Sequence, residues 1–283
     1  MATIGVQLMM LKEEVARSGA FEVLRRLRDL GLDTVEVSQV PMTAQAVAQM
    51  RRAADELGTV FGALSAGLGP GPNDSLLDDA DKVVADARAL GCTRVRIGMM
   101  PLAAYTSHQA LVAASRQAQA AALRLADEGL SLSFHNHHVE FARRGGTTLL
   151  DTIRAEAPAL KLEVDVHWVQ RGGRDPVRTL EQLSGDVELV HLKDHRVAAP
   201  TPELLERVER AGPGGFMRAF TDLVQFAEVG EGSLDWPEVV PAALAAGAQH
   251  LFVEQDEQYG RDPFDCLRTS RDNLVAMGFG HLL

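Results

Sequence analysis

Four apolar segments in the second half of the chain end in side chains that can bind a divalent metal. The segments are Ser131–Glu140 (SLSFHNHHVE), Lys161–Trp168 (KLEVDVHW), Val187–Asp194 (VELVHLKD) and Leu251–Glu257 (LFVEQDE). Each apolar run stops at His, Asp or Glu, which are also the side chains that most often move protons. If the segments are parallel strands of one closed barrel, their carboxyl ends lie at the same rim, where such barrels build their active sites. The pattern predicts that residues far apart in the sequence meet around one ion.

The alternation of side chains along a strand puts the candidate ligands on a common face. Residues two apart in a strand point to the same side of the sheet. The sets predicted to share the barrel-interior side are Ser133, His135 and His137; Glu163, Asp165 and His167; Leu189, His191 and Lys193; and Phe252 and Glu254. A single polar residue at a strand end is usually a cap or a hydrogen-bond partner, but four coinciding strand ends favour a metal site.

The mixture of ligand types indicates both the metal and the chemistry. Two or more carboxylates with one or two imidazoles and no thiolate suit Mn²⁺ best, with Mg²⁺, Co²⁺ or Zn²⁺ as alternatives. Such a cation can bind two neighbouring oxygens of a sugar and stabilise the enediolate that forms when the carbon beside a carbonyl loses its proton. Proton abstraction needs a base on each face, or one base that reaches both carbons. Carboxylates beyond the ligands, such as Glu36, Glu140 and Glu163, are available for that work.

Length, composition and charge limit the class of protein. The chain has 283 residues, and a single α/β barrel typically uses about 250. A net charge of −11 disfavours duplex DNA and anionic membranes as partners, because either needs a basic face. The two cysteines, Cys92 and Cys266, are expected to be reduced thiols, and no stretch approaches the roughly 18 apolar residues of a membrane span. The start, MATIGVQLMML, lacks the basic region of a secretory signal, so we expect a soluble, cytoplasmic protein.

Eight strand–helix units follow one another along the chain. The predicted strands are Thr3–Leu8, Thr34–Ser38, Thr59–Ser65, Thr93–Ile97, Ser131–Asn136, Lys161–Asp165, Val187–Leu192 and His250–Glu254. The predicted helices are Phe21–Leu30, Ala44–Leu57, Leu76–Leu90, Ser107–Glu128, Thr147–Glu156, Pro176–Leu183, one that starts near Asp235, and Pro263–Met277. An open doubly wound sheet usually has a glycine-rich turn after its first strand, and Leu8–Glu13 contains no glycine. The fold class is therefore predicted to be α/β, a (β/α)8 TIM barrel that forms one domain over residues 1–283.

One connection, at about residues 194–228, is much longer than the others. Its middle, Pro202–Ala211, has a helical pattern, and Gly212, Gly214 and Gly215 are expected to end that helix. Long connections in barrels often cover a site, so the segment is interpreted either as a lid or as a surface excursion.

Five motifs give the chain a resemblance to a known family over essentially its whole length. They are FHNHHVEF at Phe134–Phe141, EVDVHWVQRGGRDP at Glu163–Pro176, HLKD at His191–Asp194, EVGEGSLDW at Glu228–Trp236 and VEQD at Val253–Asp256. The chain resembles the xylose isomerase-like TIM barrels of the sugar phosphate isomerase/epimerase group. That superfamily also holds ketose 3-epimerases, inosose isomerases and dehydratases, and endonuclease IV.

The resemblance implies a set of metal ligands. In the family a divalent metal is held by one residue from each of strands five to eight, commonly Glu, Asp, His and Glu. Carried over by motif, this implies Asp165, His191 and Glu254 as ligands. The strand-five position holds His135 instead of Glu, and Glu140 follows a few residues later. The prediction favours Glu140 as the fourth ligand, because a third carboxylate better neutralises the cation, with His135 as the alternative.

Further roles are predicted around this centre. Glu254 is expected to act as both ligand and base, as in some relatives, with Glu140 and His135 as other catalytic candidates. His137 and Trp168 are expected to contact substrate, although a buried Trp is core about half the time. The remaining substrate-binding candidates are Lys193, Gln7 and Glu36. Lys193 would bind a phosphate, carboxylate or enolate oxygen, or else pair with Asp165 or Asp194.

The leading functional hypothesis is a metal-dependent isomerase or epimerase of a keto sugar or keto polyol, in carbohydrate metabolism. A lyase or dehydratase that expels water or an aglycone from the same enediolate is the runner-up. An endonuclease IV-like nuclease is a remote alternative, and a non-catalytic sugar-binding subunit is another. The expected partner is a small carbohydrate. Whether it is phosphorylated stays open: Arg143–Gly146 is the best candidate for a phosphate site, but the pattern favours a solvated pair of surface arginines. The resemblance also implies a homodimer or homotetramer, or association with a partner subunit.

Overall fold

The computed structural model describes residues 2–283, apart from the side chains of Pro213 and Phe220. Eight parallel strands close into a barrel in the order β1-β12-β9-β8-β5-β4-β3-β2. These barrel strands are β1 (Thr3–Gln7), β2 (Thr34–Val37), β3 (Val60–Ala66), β4 (Arg94–Ile97), β5 (Ser131–His135), β8 (Lys161–Asp165), β9 (Val187–Leu192) and β12 (His250–Val253). The remaining strands form two small antiparallel pairs, β6 (Arg143–Arg144) with β7 (Thr147–Thr148), and β10 (Asp194–Val197) with β11 (Val224–Ala227).

Helices surround the barrel and follow its strands along the chain. The α-helices are α1 (Lys12–Ser18), α2 (Ala20–Asp29), α3 (Ala44–Leu57), α4 (Ala80–Leu90), α5 (His108–Asp127), α6 (Leu149–Glu156), α7 (Val166–Arg171), α8 (Pro176–Gln182), α9 (Pro202–Asp222), α10 (Trp236–Ala246) and α11 (Pro263–Ala276). Short 3-10 helices span Leu8–Leu11, Leu102–Thr106, His138–Phe141 and Gly280–Leu282. Among the described residues, none of these helices has the length and apolar character required to span a bilayer.

The predicted (β/α)8 arrangement is confirmed, and the periodicity of the sequence explains most of it. The bounds predicted for Lys161–Asp165 and Val187–Leu192 agree with β8 and β9 residue for residue. Helix α3 also matches its prediction, because Thr43 accepts a hydrogen bond from Ala46 N at its start and Gly58, at φ 75°, ends it. Helix α1 was not predicted.

The barrel interior holds an apolar cluster and buried charges. Ala63, Leu189 and Phe252 form a small buried cluster inside the ring. Gly62 is required there, because a Cβ at this position would lie 2.8 Å from Cζ of Phe252. Other strands of the ring, β4 and β8, place the buried charged side chains of Arg96 and Glu163 in its interior.

Strand alternation stops earlier at β8 than the sequence pattern suggests. Asp165 is the last residue of β8, and its Oδ1 accepts a 3.0 Å hydrogen bond from Trp168 N at the start of α7. The prediction that His167 continues the interior face with Glu163 and Asp165 was therefore wrong. A carboxylate that caps a helix changes the backbone from extended to helical, and the alternation is lost with it.

The long connection is a β-hairpin with a helix between its two strands. β10 pairs with β11, and α9 runs from Pro202 to Asp222 with one non-helical residue, Gly212 (φ 66°). The break predicted after Ala211 is confirmed at Gly212, whose φ of 66° and ψ of −166° are not helical. The second helical stretch that follows it, up to Asp222, was not predicted. The hairpin reaches the barrel rim, where the ring of Phe226 lies 5.0 Å from that of His167.

Candidate functional site

Four buried side chains from four barrel strands converge at the carboxyl end of the barrel. His135 ends β5, Asp165 ends β8, His191 lies in β9 and Glu254 follows β12 directly. One ligand-type atom from each lies within 4.8 Å of the others. The strand register causes this convergence, because Asp165 pairs with His191 across β8 and β9. Residues up to 119 positions apart in the sequence are thereby brought together, as the four motifs predicted.

The distances within this cluster suit a single cation. His191 Nδ1 lies 2.8 Å from Glu254 Oε2 and 3.8 Å from Asp165 Oδ2, and His135 Nε2 lies 3.3 Å from Asp165 Oδ2. His191 Nδ1 has no hydrogen-bond partner among the described residues, and Glu254 Oε2, 2.8 Å from it, has the ion pair with Lys193 as its contact. Buried polar atoms without a partner are costly unless something else binds them. Two imidazoles and two carboxylates fit a divalent metal, and the cluster could bind one.

Glu140 lies outside this cluster, contrary to its predicted place as the fourth ligand. It sits in the 3-10 helix His138–Phe141, where its Oε2 accepts a 2.7 Å hydrogen bond from His137 N. Its Oε1 accepts a hydrogen bond from the hydroxyl of Tyr105. The carboxylate therefore faces away from Asp165 and His191, and the structure brings His135 to the strand-five position instead. Burial raises the pKa of Glu140 to about 7.

A second carboxylate pair lies beneath His191, on the opposite side of its ring. Nε2 of His191 is 3.1 Å from Glu36 Oε2 and 3.3 Å from Glu163 Oε1. Arg96 bridges the two acids, at 2.7 Å from Glu36 and 3.3 Å from Glu163. A carboxylate that accepts from Nε2–H leaves Nδ1 free to bind a metal, which is the usual support of a ligating histidine. Glu36 was predicted to contact substrate, but it lies below the ligand layer, fully buried.

The two buried acids differ in charge. Burial favours the neutral form of Glu36, but the charges of Arg96 and His191 outweigh it and hold its pKa at about 2. Burial and the neighbouring Glu36 raise the pKa of Glu163 to about 8. At neutral pH, Glu36 is therefore the ionised partner of His191 and Glu163 is largely protonated.

Lys193 places a buried positive charge next to the cluster. Its Nζ lies 2.7 Å from Glu254 Oε2, 3.1 Å from Asp165 Oδ2 and 3.1 Å from Asp256 Oδ1. Burial opposes its charged form, but the nearby Asp165 and Glu254 outweigh it and raise the pKa of Lys193 above its usual value. Of the two pairing partners considered from the sequence, the structure gives it Asp165.

A cavity of about 560 Å³ opens above the cluster. Of the residues predicted to bind substrate, Gln7, His137 and Lys193 line it, together with His135 and Glu254. Burial lowers the pKa of His137 to about 2, so its imidazole is neutral. Gln7 donates a 3.0 Å hydrogen bond to Glu254 Oε1 and fixes that carboxylate.

Trp168 is not among the described residues that line this cavity. Its ring packs with His137 and His138, at centroid distances of 5.5 and 5.1 Å. Helix α7 directs it there, which the strand-based interpretation did not foresee.

Two residues of the site were missed from the sequence. Asp256 lines the cavity and contacts Lys193, and burial raises its pKa to about 6. Its position two residues after Glu254, on the same strand parity, is the signal that would have found it. Tyr105 contacts Glu140 from the 3-10 helix Leu102–Thr106, and nothing in the sequence around it marks it as a site residue.

A family model described as xylose isomerase-like TIM barrel matches residues 24–270. The chain belongs to this family. The resemblance inferred from the five motifs is therefore confirmed, as is the fold class. No curated protein sequence compared with the chain gave a match.

Solved structures with the xylose isomerase-like fold superpose over nearly the whole chain. A sugar phosphate isomerase/epimerase from Parabacteroides distasonis has a TM-score of 0.71 at 18% identity, covering 99% of this chain and 96% of its own. An L-ribulose 3-epimerase has a TM-score of 0.68 at 15% identity, and the match covers 100% of this chain and 96% of its own. A probable 3-DHS dehydratase involved in petrobactin synthesis, from Bacillus anthracis, has a TM-score of 0.70 at 12% identity. The match covers 97% of this chain and 99% of its own. Because these identities are at most 18%, the similarity shows a shared fold and nothing further about this xylose isomerase-like chain.

Proposed function

We propose that this protein is a divalent-metal-dependent isomerase or epimerase that acts on a keto sugar or keto polyol through an enediolate. The observation that carries the proposal is the convergence of His135, Asp165, His191 and Glu254 at the carboxyl ends of four barrel strands. These residues hold the metal in this proposal, with Mn²⁺ as the expected ion. The family and two of the neighbouring structures, an isomerase/epimerase and an epimerase, support the same reaction class.

The reaction begins with removal of the proton on the carbon beside the carbonyl. The metal that His135, Asp165, His191 and Glu254 would hold would supply Lewis-acid stabilisation of the negative charge that develops beside the carbonyl. Glu254 lines the cavity and accepts the proton on Oε1, which Gln7 orients, because Oε2 faces His191 in the cluster. Lys193 keeps a positive charge beside the reacting oxygens. Asp256 returns a proton to carbon, because a pKa of about 6 lets it exchange protons near neutral pH.

Glu140 has a positioning part in this proposal. It is fully buried and holds the backbone N–H of His137, so it orients a residue of the cavity wall. In this proposal Asp256 takes the catalytic role that was expected for Glu140 from the sequence, because Asp256 lines the cavity and Glu140 is not among its described lining residues.

A lyase or dehydratase is the second candidate. It shares the first step, and then the enediolate expels a substituent from the next carbon. A cationic group beside the site favours it, because Lys193 can donate a hydrogen bond to the departing oxygen while Asp256, with a pKa of about 6, supplies the proton. One of the similar solved structures, the probable 3-DHS dehydratase, is named for a reaction of this class.

The test starts with metal analysis of the purified protein, followed by incubation with a panel of keto sugars and inososes in D₂O. NMR then reports deuterium beside the carbonyl, inversion of configuration, and any released leaving group. Deuterium with inversion supports the epimerase, and deuterium with a released group supports the lyase. If neither deuterium nor product forms with any member of the panel while metal is bound, both proposals are wrong.

A pair of variants ties the activity to the cluster. Asp165→Asn should lower the exchange rate at least about 100-fold, since a bound cation contributes several kcal/mol to stabilising the developing charge. Asp81→Asn is the matched control, because its carboxylate is 96% exposed on the outer surface. Equal exchange rates for Asp165→Asn and the unchanged protein would contradict the assignment of the site.

A further inference from the structure

The cavity above the metal cluster has two chemically different sides. His135, His137 and Lys193 line the side formed by β5 and β9. The other side is built by the segments that follow β1 to β4, and it is lined by Gln39 and Asn73 together with several apolar side chains. Those that matter here are Met9, Leu68, Pro70, Pro72, Met99 and Leu102.

Several of these apolar side chains are exposed to solvent at the mouth of the cavity. Leu102 is 75% exposed and Met99 is 38% exposed. Pro70 and Pro72 are also exposed. Scattered single apolar residues need no explanation, but exposed ones that share the wall of one polar site indicate a ligand contact.

The apolar wall is held in place by hydrogen bonds at its base. Gly67 N donates to Asp74 O at 2.9 Å, and Leu76 N donates to Gly67 O at 2.8 Å. The side chain of Asn73 accepts a 2.7 Å hydrogen bond from Gln39 N, which ties this loop to the neighbouring one. The loop that carries Leu68, Pro70 and Pro72 is thus shaped before a ligand arrives, which lowers the entropic cost of binding.

The cavity has little to offer a phosphate group. Among the described lining residues, the Lys and Arg side chains are Arg96 and Lys193. Arg96 is paired with Glu36 and Glu163, and Lys193 with Glu254, Asp165 and Asp256. Arg143 and Arg144, the phosphate candidates from the sequence, are not among the described residues of the lining, and Arg144 donates to Tyr105 O. A phosphate dianion would therefore meet cations that carboxylates already neutralise.

The size of the cavity also exceeds what a bare sugar requires. Sites of roughly 300–1,000 Å³ bury ligands of drug size. At about 560 Å³, the cavity has room for a sugar at the metal cluster and a second group against the apolar wall.

We propose that this wall is a subsite for an uncharged aryl group linked to the keto sugar, so that the substrate is an unphosphorylated aryl-substituted keto sugar. The inference rests on the proposed function, because it assumes that the sugar lies at the cluster. An aryl ring fits the wall chemically, since thioethers make favourable contacts with ring edges and proline offers a flat apolar face. Met9 and Met99 supply two such thioethers.

Binding measurements on the metal-loaded protein test the subsite without relying on turnover. The probes are the phenyl glycoside, the methyl glycoside and the phosphate ester of one keto sugar, compared by calorimetry. The phenyl compound should bind at least about tenfold more tightly than the methyl compound, as expected for burying most of one ring. The phosphate ester should bind no more tightly than the methyl compound. Equal affinities for phenyl and methyl, or tightest binding by the phosphate ester, would overturn the inference.

A matched pair of variants locates the effect. Leu102→Asp should remove most of the phenyl preference, whereas Leu123→Asp, which changes a 53%-exposed leucine on the outer helix α5, should leave it intact. Both residues are exposed, so neither change should prevent folding. A phenyl preference that survives Leu102→Asp and Met99→Asp unchanged would assign the ring to another place and contradict the subsite.

The outcomes separate the subsite from the proposed function. If phenyl and methyl compounds bind equally but keto sugars exchange deuterium in an Asp165-dependent manner, the reaction stands and the subsite falls. If the phenyl preference is present but no keto sugar exchanges deuterium, the subsite stands and the reaction falls.

Discussion

Trp236 donates an indole N–H hydrogen bond of 2.7 Å to Oδ2 of Asp194, a residue 42 positions earlier in the chain. Both side chains are buried, and they belong to the two motifs HLKD and EVGEGSLDW. Asp194 directly follows Lys193, so this bond joins the wall of the site to the start of α10. The two motifs therefore occur together because they form one structural unit.

Asp194 also accepts hydrogen bonds from five backbone N–H groups. The donors are His195, Gly230, Gly232, Ser233 and Leu234. Glycine is needed at position 232, because a Cβ there would overlap the carboxylate of Asp194. One carboxylate thus organises the turn before α10, which explains the glycines of the motif without any phosphate-binding role.

Replacing Asp194 with Ala should lower the free energy of unfolding by at least about 3 kcal/mol, because it leaves several buried N–H groups without an acceptor. Trp236→Phe removes one of these bonds and replaces the indole with a smaller aromatic ring, so its cost should be lower, about 1–2 kcal/mol. Urea unfolding followed by circular dichroism measures both. Similar losses for the two variants would show that the backbone bonds contribute little.

The choice between His135 and Glu140 as the fourth ligand can be measured directly. A metal that binds only the folded protein, present at a concentration of 100 times its Kd, adds about 2.7 kcal/mol to the free energy of unfolding and therefore raises the Tm. His135→Ala should abolish most of the Tm increase produced by Mn²⁺, while Glu140→Gln should retain it, since Glu140 lies outside the cluster. The opposite result in thermal denaturation with and without Mn²⁺ would restore Glu140 as the ligand.

The carboxylates beneath His191 should differ in their effect on the metal. Glu36 is ionised and accepts a 3.1 Å hydrogen bond from Nε2, so Glu36→Gln should weaken metal affinity by about 10- to 100-fold. Glu163 is equally buried and almost equally close to Nε2, but its pKa of about 8 makes it largely neutral. Glu163→Gln is the matched control and should change the affinity much less. Calorimetric titration at pH 7 compares the two, and equal losses would contradict the assigned charges.

Glu140 should make the stability of the protein depend on pH. Its folded pKa of about 7 lies above the ordinary value of 4.5, so folding favours its protonated form. The cost of burying its charged form is absent below about pH 4.5, grows as the pH rises to about 7, and levels off above that. Glu140→Gln removes this cost. Relative to the unchanged protein, the variant should therefore gain about 1–3 kcal/mol in free energy of unfolding between pH 5 and pH 8. Urea unfolding with a chelator present measures it, and a difference that does not vary with pH would contradict the raised pKa.

The sequence by itself determined the barrel and the strand ends at which the site is built. Apolar runs bounded by turns fix where β8 and β9 begin and end, because these depend on local periodicity. The ligand types at those ends predicted a metal site at one rim, since parallel strands in a barrel share it. The family resemblance then singled out Asp165, His191 and Glu254 as the expected ligands.

The tertiary structure alone decided which neighbouring polar groups join them. Glu140 is only five residues from His135, but a 3-10 turn and the hydroxyl of Tyr105 hold it away. Glu36 faces His191 across 155 positions, and no local pattern predicts that pairing. Periodicity tells which side of a strand a residue occupies. The distance between side chains on different strands depends on how the barrel closes, and that is a property of the whole fold.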